Sequence, residues 1–184
     1  MKRMVLGAAL CGIAMSSFAQ NDGKMDKFIT DLMSKMSIEE KIGQLNLASN
    51  WMYVSNATLS DEDLAIKQLK EGQMGAFYGF TNQNQIKQVQ EIAMQGKHKI
   101  PLMFGNDVIH GFETTYPIPL AISTTWNMDL VEESARMAAK EASSVGINWV
   151  FSPMVDICRD ARWGRLSEGG GEDPYLGGEV AKAY

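Results

Sequence analysis

The pattern of apolar residues near the amino terminus predicts two helices. The first carries its apolar residues at helical spacing along one face, at Met25, Phe28, Ile29, Leu32, Met33 and Met36. Ser37 precedes the second helix and lies three residues before Glu40, a spacing typical of a capping box. We expect Ile38, Ile42 and Leu45 to face inward, and the methionine-rich first stripe is more typical of core packing than of a cofactor site.

Beyond residue 72 the pattern changes to strands that alternate with helices. Apolar runs predict three buried strands, at residues 74–80, 100–104 and 147–155. Asn82 and Asn127 are placed to cap the helices that follow the first two runs, and Gly96 and Gly146 are placed to end them. Continuous apolar strands separated by helices indicate a parallel sheet covered on both faces, so the predicted fold class is α/β.

The alternation alone leaves two architectures open, because doubly wound sheets and (β/α)8 barrels share it. No Gly-x-Gly-x-x-Gly segment follows the first predicted strand, which disfavours a dinucleotide-binding fold. Three strands cannot close a barrel, and a complete barrel takes about 250 residues. Residues 178–184 are typical of the start of a helix, so we expect the 184 residues to hold an incomplete domain.

The first nineteen residues have the pattern of a secretory signal. A positively charged start, an apolar run over residues 4–15 and small residues at its exit predict a signal peptide over residues 1–19, cleaved before Gln20. The run is short for a bilayer about 30 Å thick, which disfavours a membrane anchor. Cys11 leaves a lipoprotein as a second alternative, although the residues before it match a lipoprotein cleavage site poorly.

The net charge and the few cysteines and histidines argue against nucleic-acid or membrane partners, a disulfide and a zinc cluster. The formal net charge is −5, and cleavage before Gln20 would remove Lys2 and Arg3 but no acid, giving −7. This balance argues against nucleic acid or an anionic membrane surface as a partner. Cys158 would be the one remaining cysteine, which excludes a disulfide within residues 20–184. His98 and His110 are too few and too scattered for a zinc cluster.

Candidate chemistry lies where the predicted strands end, because parallel α/β folds bind ligands at the carboxyl ends of their strands. Asp107 follows the second predicted strand directly. Its carboxylate can accept two hydrogen bonds, which suits neighbouring sugar hydroxyls, but it could equally brace its own loop. His110 lies beside a glycine and is more typical of a structural hydrogen-bonding residue than of a catalyst.

A charged loop follows the third predicted strand. Its charged residues are Asp156, Arg159, Asp160, Arg162, Arg165, Glu168, Glu172 and Asp173. They could form a buried ion-pair lattice or a solvated loop, and Trp163 among them favours an ordered loop. An arginine fork could hold sugar hydroxyls from the side opposite Asp107. Glu172 and Asp173 are adjacent, and adjacent acids rarely face each other at the roughly 5–5.5 Å that a retaining glycosidase pair requires.

Five segments in this order resemble family 3 glycoside hydrolases, and in particular their bacterial periplasmic β-glucosidase branch. They are KIGQL at 41–45, GNDVIHG at 105–111, FSPMVD at 151–156, RWGR at 162–165 and GEDPYL at 171–176. The resemblance covers essentially all of residues 20–184. It implies that these residues are the amino-terminal portion of a (β/α)8 TIM-like barrel, which in the family precedes an α/β sandwich domain. It also implies secretion to the periplasm.

The resemblance implies a retaining hydrolysis of terminal β-D-glucosyl residues, with a β-glucoside or oligosaccharide as substrate. Asp107 matches the family aspartate that binds hydroxyls of the sugar, and Arg165 matches an arginine that holds the same sugar. Four other residues match motif positions that we interpret as bracing the loop, namely Arg162, Glu168, Glu172 and Asp173. The family needs no metal or other cofactor, because two carboxyl groups supply the nucleophile and the acid/base.

The resemblance places neither carboxyl group of the catalytic pair in these 184 residues, so the chain by itself is expected to be inactive. Some relatives pair a cysteine at the position of Cys158 with another at the position of Leu166, so Cys158 is expected to be a free thiol. A β-xylosidase or a β-N-acetylglucosaminidase of the same family remains open, as does a non-catalytic sugar-binding remnant.

Overall fold

The computed structural model describes residues 23–49 and 59–184, and the chain divides into two compact units, residues 1–37 and residues 38–184. In the first unit, helix α1 spans Gly23–Lys35. The predicted helix is therefore confirmed, but none of its residues is buried in the described structure. Met25, Phe28 and Met33 are 55%, 63% and 48% exposed, so the prediction of a core-packing stripe is wrong. The predicted signal segment, residues 1–19, lies outside the described residues and remains a prediction.

The second unit alternates helices with short strands. Its elements are α2 (Ile38–Gly43), β1 (Leu47–Ser49), α3 (Leu59–Lys70), β2 (Ala76–Tyr78), α4 (Gln83–Ala93), β3 (Met103–Asn106), α5 (Pro119–Ser123), α6 (Met128–Val145), β4 (Trp149–Val150), a 3₁₀ turn (Leu166–Glu168) and α7 (Pro174–Ala183). Among the described residues, no helix combines the length and hydropathy needed to cross a membrane.

The four strands form one parallel sheet in the order β1-β2-β3-β4. Ala48 pairs with Phe77, and Phe77 pairs in turn with Phe104. Each strand thus lies beside the next one in the chain, whereas a doubly wound sheet reverses its order at a switch point. The predicted α/β class with a parallel sheet is confirmed, and the sequential order favours the barrel over the doubly wound alternative.

The core lies between one face of this sheet and the helices that cover it. The rings of Phe77 and Phe104 stack at 6.4 Å, and Phe80 meets both edge-on. Helix α4 adds its buried face of Ile86, Val89 and Ala93, while α6 adds Ala138 and Ala142. Burying each phenylalanine side chain contributes about 1.5–3 kcal/mol as an upper estimate, so the three rings contribute substantially to the stability of this core.

Side-chain caps fix where helices α4 and α6 begin. The side chain of Asn82 accepts hydrogen bonds from the N–H groups of residues 84 and 85, and that of Asn127 from residues 129 and 130. Gly146 ends α6 with φ of 103°, a left-handed conformation that glycine adopts without strain. The predicted capping roles of Asn82 and Asn127 are confirmed, as is the end of α6 at Gly146.

The structure adds one strand to those predicted from the sequence and corrects two predictions. Strand β1 was not predicted, because its three residues are too few to show a period. Strand β4 covers two residues rather than the predicted 147–155. Helix α2 begins at Ile38 as predicted, but Ile38, Ile42 and Leu45 are 63%, 62% and 87% exposed rather than inward-facing. Helix α2 has only six residues, which is less than two turns and too short to define a buried face.

Candidate functional site

Asp107 lies directly beyond the carboxyl end of β3, where the strand-exit rule places it. Its backbone N–H donates to the side-chain oxygen of Asn106 at 2.8 Å, which fixes the chain as it leaves the strand. The hydroxyl of Tyr78, at the end of the neighbouring strand β2, donates a hydrogen bond to the Asp107 carboxylate. The ends of the neighbouring strands β2 and β3 therefore bring the phenol of Tyr78 within hydrogen-bond distance of the Asp107 carboxylate.

Tyr78 is the site residue that the sequence reasoning missed. Its pKa is raised, first by the hydrogen bond to Asp107, then by burial and by the negative charge of the same carboxylate. The phenol therefore stays protonated and remains a donor at neutral pH. A partial signal was present in the sequence, because Tyr78 lies near the end of the apolar run 74–80 and Asp107 follows the next run, and the ends of neighbouring parallel strands lie at one edge of the sheet.

Asp107 lines an open cavity of about 350 Å³ together with Glu168 and His110. The rest of its lining is Ile109, Gly111, Ile118, Pro119 and Ser167. The cavity thus combines two carboxylates and an imidazole with aliphatic walls. A small polyhydroxylated ligand suits such a lining, because its hydroxyls can donate to carboxylates while its C–H faces contact apolar side chains.

Glu141 and Tyr184 hold the loop between β3 and α5. Glu141 on α6 accepts hydrogen bonds from the backbone N–H of Glu113 at 3.0 Å and of Thr114 at 2.9 Å. It also accepts one from the Thr114 hydroxyl at 2.6 Å. On the other side, the hydroxyl of Tyr184 donates to the backbone oxygen of Ile109 at 3.2 Å. These contacts anchor the segment that carries the cavity residues 109–111.

His110 acts within this loop as a hydrogen-bonding residue. Its Nδ1 lies 3.1 Å from the backbone oxygen of Tyr116, and the backbone N–H of Tyr116 donates back to the oxygen of His110 at 2.8 Å. A carbonyl can only accept, so Nδ1 carries the proton in this contact. The geometry agrees with the structural role expected for His110.

Arg165 is not part of the cavity lining but binds Glu168, which is. Its Nε and Nη2 lie 2.8 Å and 2.5 Å from one oxygen of Glu168, which itself lines the cavity. The pKa of Arg165 is raised, first by this hydrogen bond and the charge of Glu168, then by the charges of Asp156 and Asp107. The guanidinium therefore lies in a negative field to which Asp107 contributes, and the structure brings Asp107, Arg165 and Glu168 to one site.

The other three predicted loop-bracing residues lie outside the cavity lining. Arg162 pairs with Asp160 and its side chain is 90% exposed. The Asp173 side chain caps α7 by accepting from the N–H of residues 175 and 176, while Glu172 is exposed. Of the two interpretations left open for the charged loop, the exposure of these pairs supports the solvated one.

Backbone contacts hold the charged loop, whereas Trp163, from which the order of this loop was predicted, is 36% exposed. The backbone N–H of Cys158 donates to the oxygen of Gly171 at 3.2 Å, and an isolated bridge joins Met154 to Gly169. The Cys158 side chain is 7% exposed and unpaired by any disulfide within the described ranges, and its thiol lies 3.3 Å from the backbone oxygen of Asp160. Cys158 is the one cysteine among the described residues, where it is free, and its lack of a disulfide partner elsewhere stays a prediction.

The chain is similar in sequence to known glycoside hydrolases. The profile described as the glycosyl hydrolase family 3 N terminal domain matches residues 37–184. The chain is 42% identical over 152 residues to the periplasmic β-glucosidase of Salmonella typhimurium. The aligned segment covers 82% of this chain and 19% of that protein. It is 28% identical over 193 residues to a β-xylosidase of Formosa agariphila, covering 100% of this chain and 22% of that protein.

Among solved structures, the chain is similar to the β-glucosidase from Listeria innocua in complex with isofagomine. The two share 35% identity with a TM-score of 0.75, over 85% of this chain and 22% of that one. The chain thus spans about a fifth of the length of the proteins it matches. The profile match and these similarities show that the chain belongs to glycosyl hydrolase family 3, as the amino-terminal part of its barrel-like domain.

Proposed function

We propose that the protein containing this chain hydrolyses terminal non-reducing β-D-glucosyl residues with retention of configuration. The observation that carries the proposal is the cavity lined by Asp107 and Glu168 at the carboxyl ends of the strands, in a chain 42% identical to a periplasmic β-glucosidase. Carboxylates at the exits of parallel strands are where this architecture binds its substrates.

In this proposal Asp107 and Arg165 hold the sugar from two sides. The Asp107 carboxylate accepts hydrogen bonds from sugar hydroxyls, and the Arg165 guanidinium donates to them. The contact between Arg165 and Glu168 orients the guanidinium, because its Nε and Nη2 both donate to one oxygen of Glu168. Arg162, Glu172 and Asp173 support the loop that carries Arg165 and do not contact sugar.

The proposal assigns the nucleophile and the acid/base to residues outside these 184. Retention requires two carboxyl groups roughly 5–5.5 Å apart on either side of the glycosidic bond. The Asp173 side chain caps the amino terminus of α7, and Asp107 accepts a hydrogen bond from Tyr78. A purified protein restricted to residues 20–184 is expected to give no turnover of an aryl β-glucoside, and measurable turnover would contradict this assignment.

The test of the reaction uses the protein as encoded, including any sequence that continues beyond Tyr184. We expect hydrolysis of an aryl β-glucoside with β-glucose as the first product seen by proton NMR. A first product in the α form would overturn the retaining mechanism. A higher kcat/KM for the aryl β-xyloside would replace the glucosidase with a xylosidase, the alternative that the similarity to the Formosa agariphila enzyme favours.

We also propose that the protein is secreted, with residues 1–19 as its signal peptide. The support is the charged and apolar pattern of these residues and the similarity to an enzyme named for its periplasmic location. Amino-terminal sequencing of the protein purified from its host should begin at Gln20. A sequence that begins at Met1 would contradict the proposal, and one that begins at Cys11 would indicate a lipoprotein.

A further inference from the structure

The contact between Tyr78 and Asp107 is built by the register of the sheet. Tyr78 is the last residue of β2 and pairs with Gly105 on β3. Side chains alternate along a strand, so Tyr78 lies on the face of the sheet opposite Phe77, which is fully buried in the core. Asp107 lies two residues beyond Gly105, on the same face and within reach of the Tyr78 hydroxyl.

Two aromatic rings from the β4 region hold the Tyr78 ring in place. The ring of Phe151 stacks on that of Tyr78, with centroids 5.8 Å apart and planes inclined by 13°. Trp149 meets Phe151 edge-on at 4.9 Å. Gly105 makes room for this arrangement, because a Cβ atom there would lie 2.9 Å from the Phe151 ring. The phenol is therefore fixed by stacking as well as by its hydrogen bond.

We propose that Tyr78 is a positioning residue, which fixes the Asp107 carboxylate so that its free oxygen faces the ligand. The Tyr78 hydroxyl binds Oδ2 of Asp107. Within residues 23–49 and 59–184, Oδ1 of Asp107 has no hydrogen-bond partner, while the residue lines the cavity. Because Tyr78 holds Oδ2, the orientation of Oδ1 is fixed before the ligand binds. Oδ1 can then accept a hydrogen bond from a sugar hydroxyl, and binding does not have to restrict the rotation of the Asp107 side chain.

The proton on Tyr78 supports this role over a wide pH range. The pKa of Tyr78 is raised above its ordinary value of 10.0 by the Asp107 hydrogen bond and by burial. An ionised phenolate would repel the carboxylate, but the raised pKa keeps the donor form at every pH at which a periplasmic enzyme works. In this proposal Tyr78 acts by orienting Asp107.

The test is a double-mutant cycle on the protein as encoded, and it rests on the proposed sugar-binding role of Asp107. Tyr78→Phe removes the hydroxyl but keeps the ring that stacks on Phe151. Calorimetric titration with isofagomine should show binding weakened about threefold to tenfold by Tyr78→Phe, the range of one hydrogen bond to a charged group acting indirectly. In an Asp107→Ala background, which lacks the acceptor of the Tyr78 hydroxyl, the same substitution should have no further effect.

Tyr175→Phe is the matched control, because Tyr175 is 70% exposed on α7 and takes no part in the cavity. It should bind isofagomine as the wild type does. The positioning role is overturned if Tyr78→Phe binds like the wild type, or if it weakens binding equally in both backgrounds, which would indicate a packing effect. If Asp107→Ala binds like the wild type, or the wild type does not bind, the proposed sugar site itself fails.

Kinetics provide a second readout that simple loss of packing would not imitate. With an aryl β-glucoside, Tyr78→Phe should raise KM by a similar factor of about three to ten, while kcat changes less than twofold, since the hydroxyl acts on a binding group. An unfolding midpoint within about 2 °C of the wild type would show that the fold is intact. A large fall in kcat at unchanged KM would contradict a role confined to positioning Asp107.

Discussion

The carboxylate of Glu141 accepts two hydrogen bonds from Thr114, one from its backbone N–H at 2.9 Å and one from its hydroxyl at 2.6 Å. These bonds join α6 to the loop that carries the cavity residues. The hydrogen bonds with Thr114 lower the pKa of Glu141 below its ordinary value of 4.5, with a further contribution from the N–H of Glu113. The ionised form of Glu141 is therefore favoured by folding.

A pH-dependent stability follows from this lowered pKa. Because the folded pKa lies below the unfolded one, the contribution is complete above about pH 4.5 and is lost as the pH falls through the folded value. We expect Glu141→Gln to lower the unfolding midpoint at pH 7, and the difference from the wild type to shrink in acid. Glu133→Gln, on the exposed face of the same helix, is the control. A difference that stays constant from pH 7 to pH 3 would contradict the account.

The close approach of Phe151 to Gly105 gives a second prediction. Gly105→Ala places a methyl group 2.9 Å from the ring, which must move out of its stack on Tyr78. We expect a loss of about 1–3 kcal/mol in the free energy of unfolding, typical of overpacking, measured by denaturant titration. Isofagomine binding should weaken as well, because the Tyr78 ring loses its support.

Gly178→Ala is the control for this substitution. Gly178 lies inside α7 with open space around the position of a Cβ atom. Alanine there should stabilise the protein by about 0.5–1 kcal/mol, since it restricts the unfolded chain and favours the helix. Equal effects of the two substitutions would show that the Phe151 contact does not limit position 105.

The sequence predicts where a helix begins when a capping residue precedes apolar residues at helical spacing. Helices α4 and α6 combine an asparagine cap with apolar residues at helical spacing, and both begin where predicted. The first helix shows the limit of this reasoning, since its apolar period predicts the helix correctly but not its burial. A period reports which residues share a face, whereas burial depends on what covers that face.

The candidate site was predictable only in part. The exit of β3 at Asp107 follows from an apolar run that ends in a polar segment, and this needs no knowledge of neighbours. The partner of Asp107 depends on the register between β2 and β3, which pairs Tyr78 with Gly105. The role of Glu168 as the link between Arg165 and the cavity depends on the path of a loop, and no local pattern determines that path.

The thiol of Cys158 provides a third prediction. The side chain is 7% exposed and lies 3.3 Å from a backbone oxygen, so alkylating reagents should reach it slowly. We expect peptide mapping after brief treatment with iodoacetamide to find Cys158 unmodified in the native protein and modified in denaturant. Rapid modification of the native protein would show that the loop over residues 156–171 opens readily.

The role of Asp107 as a sugar ligand is the central claim, and kcat/KM for an aryl β-glucoside tests it most directly. The measurement compares Asp107→Asn with Asp129→Asn, an exposed aspartate on α6, in the protein as encoded. Losing a charged hydrogen bond to substrate costs about 1.5–3 kcal/mol, so Asp107→Asn should lower kcat/KM about 10- to 100-fold while Asp129→Asn leaves it unchanged. Equal kcat/KM for Asp107→Asn and the wild type would contradict the account.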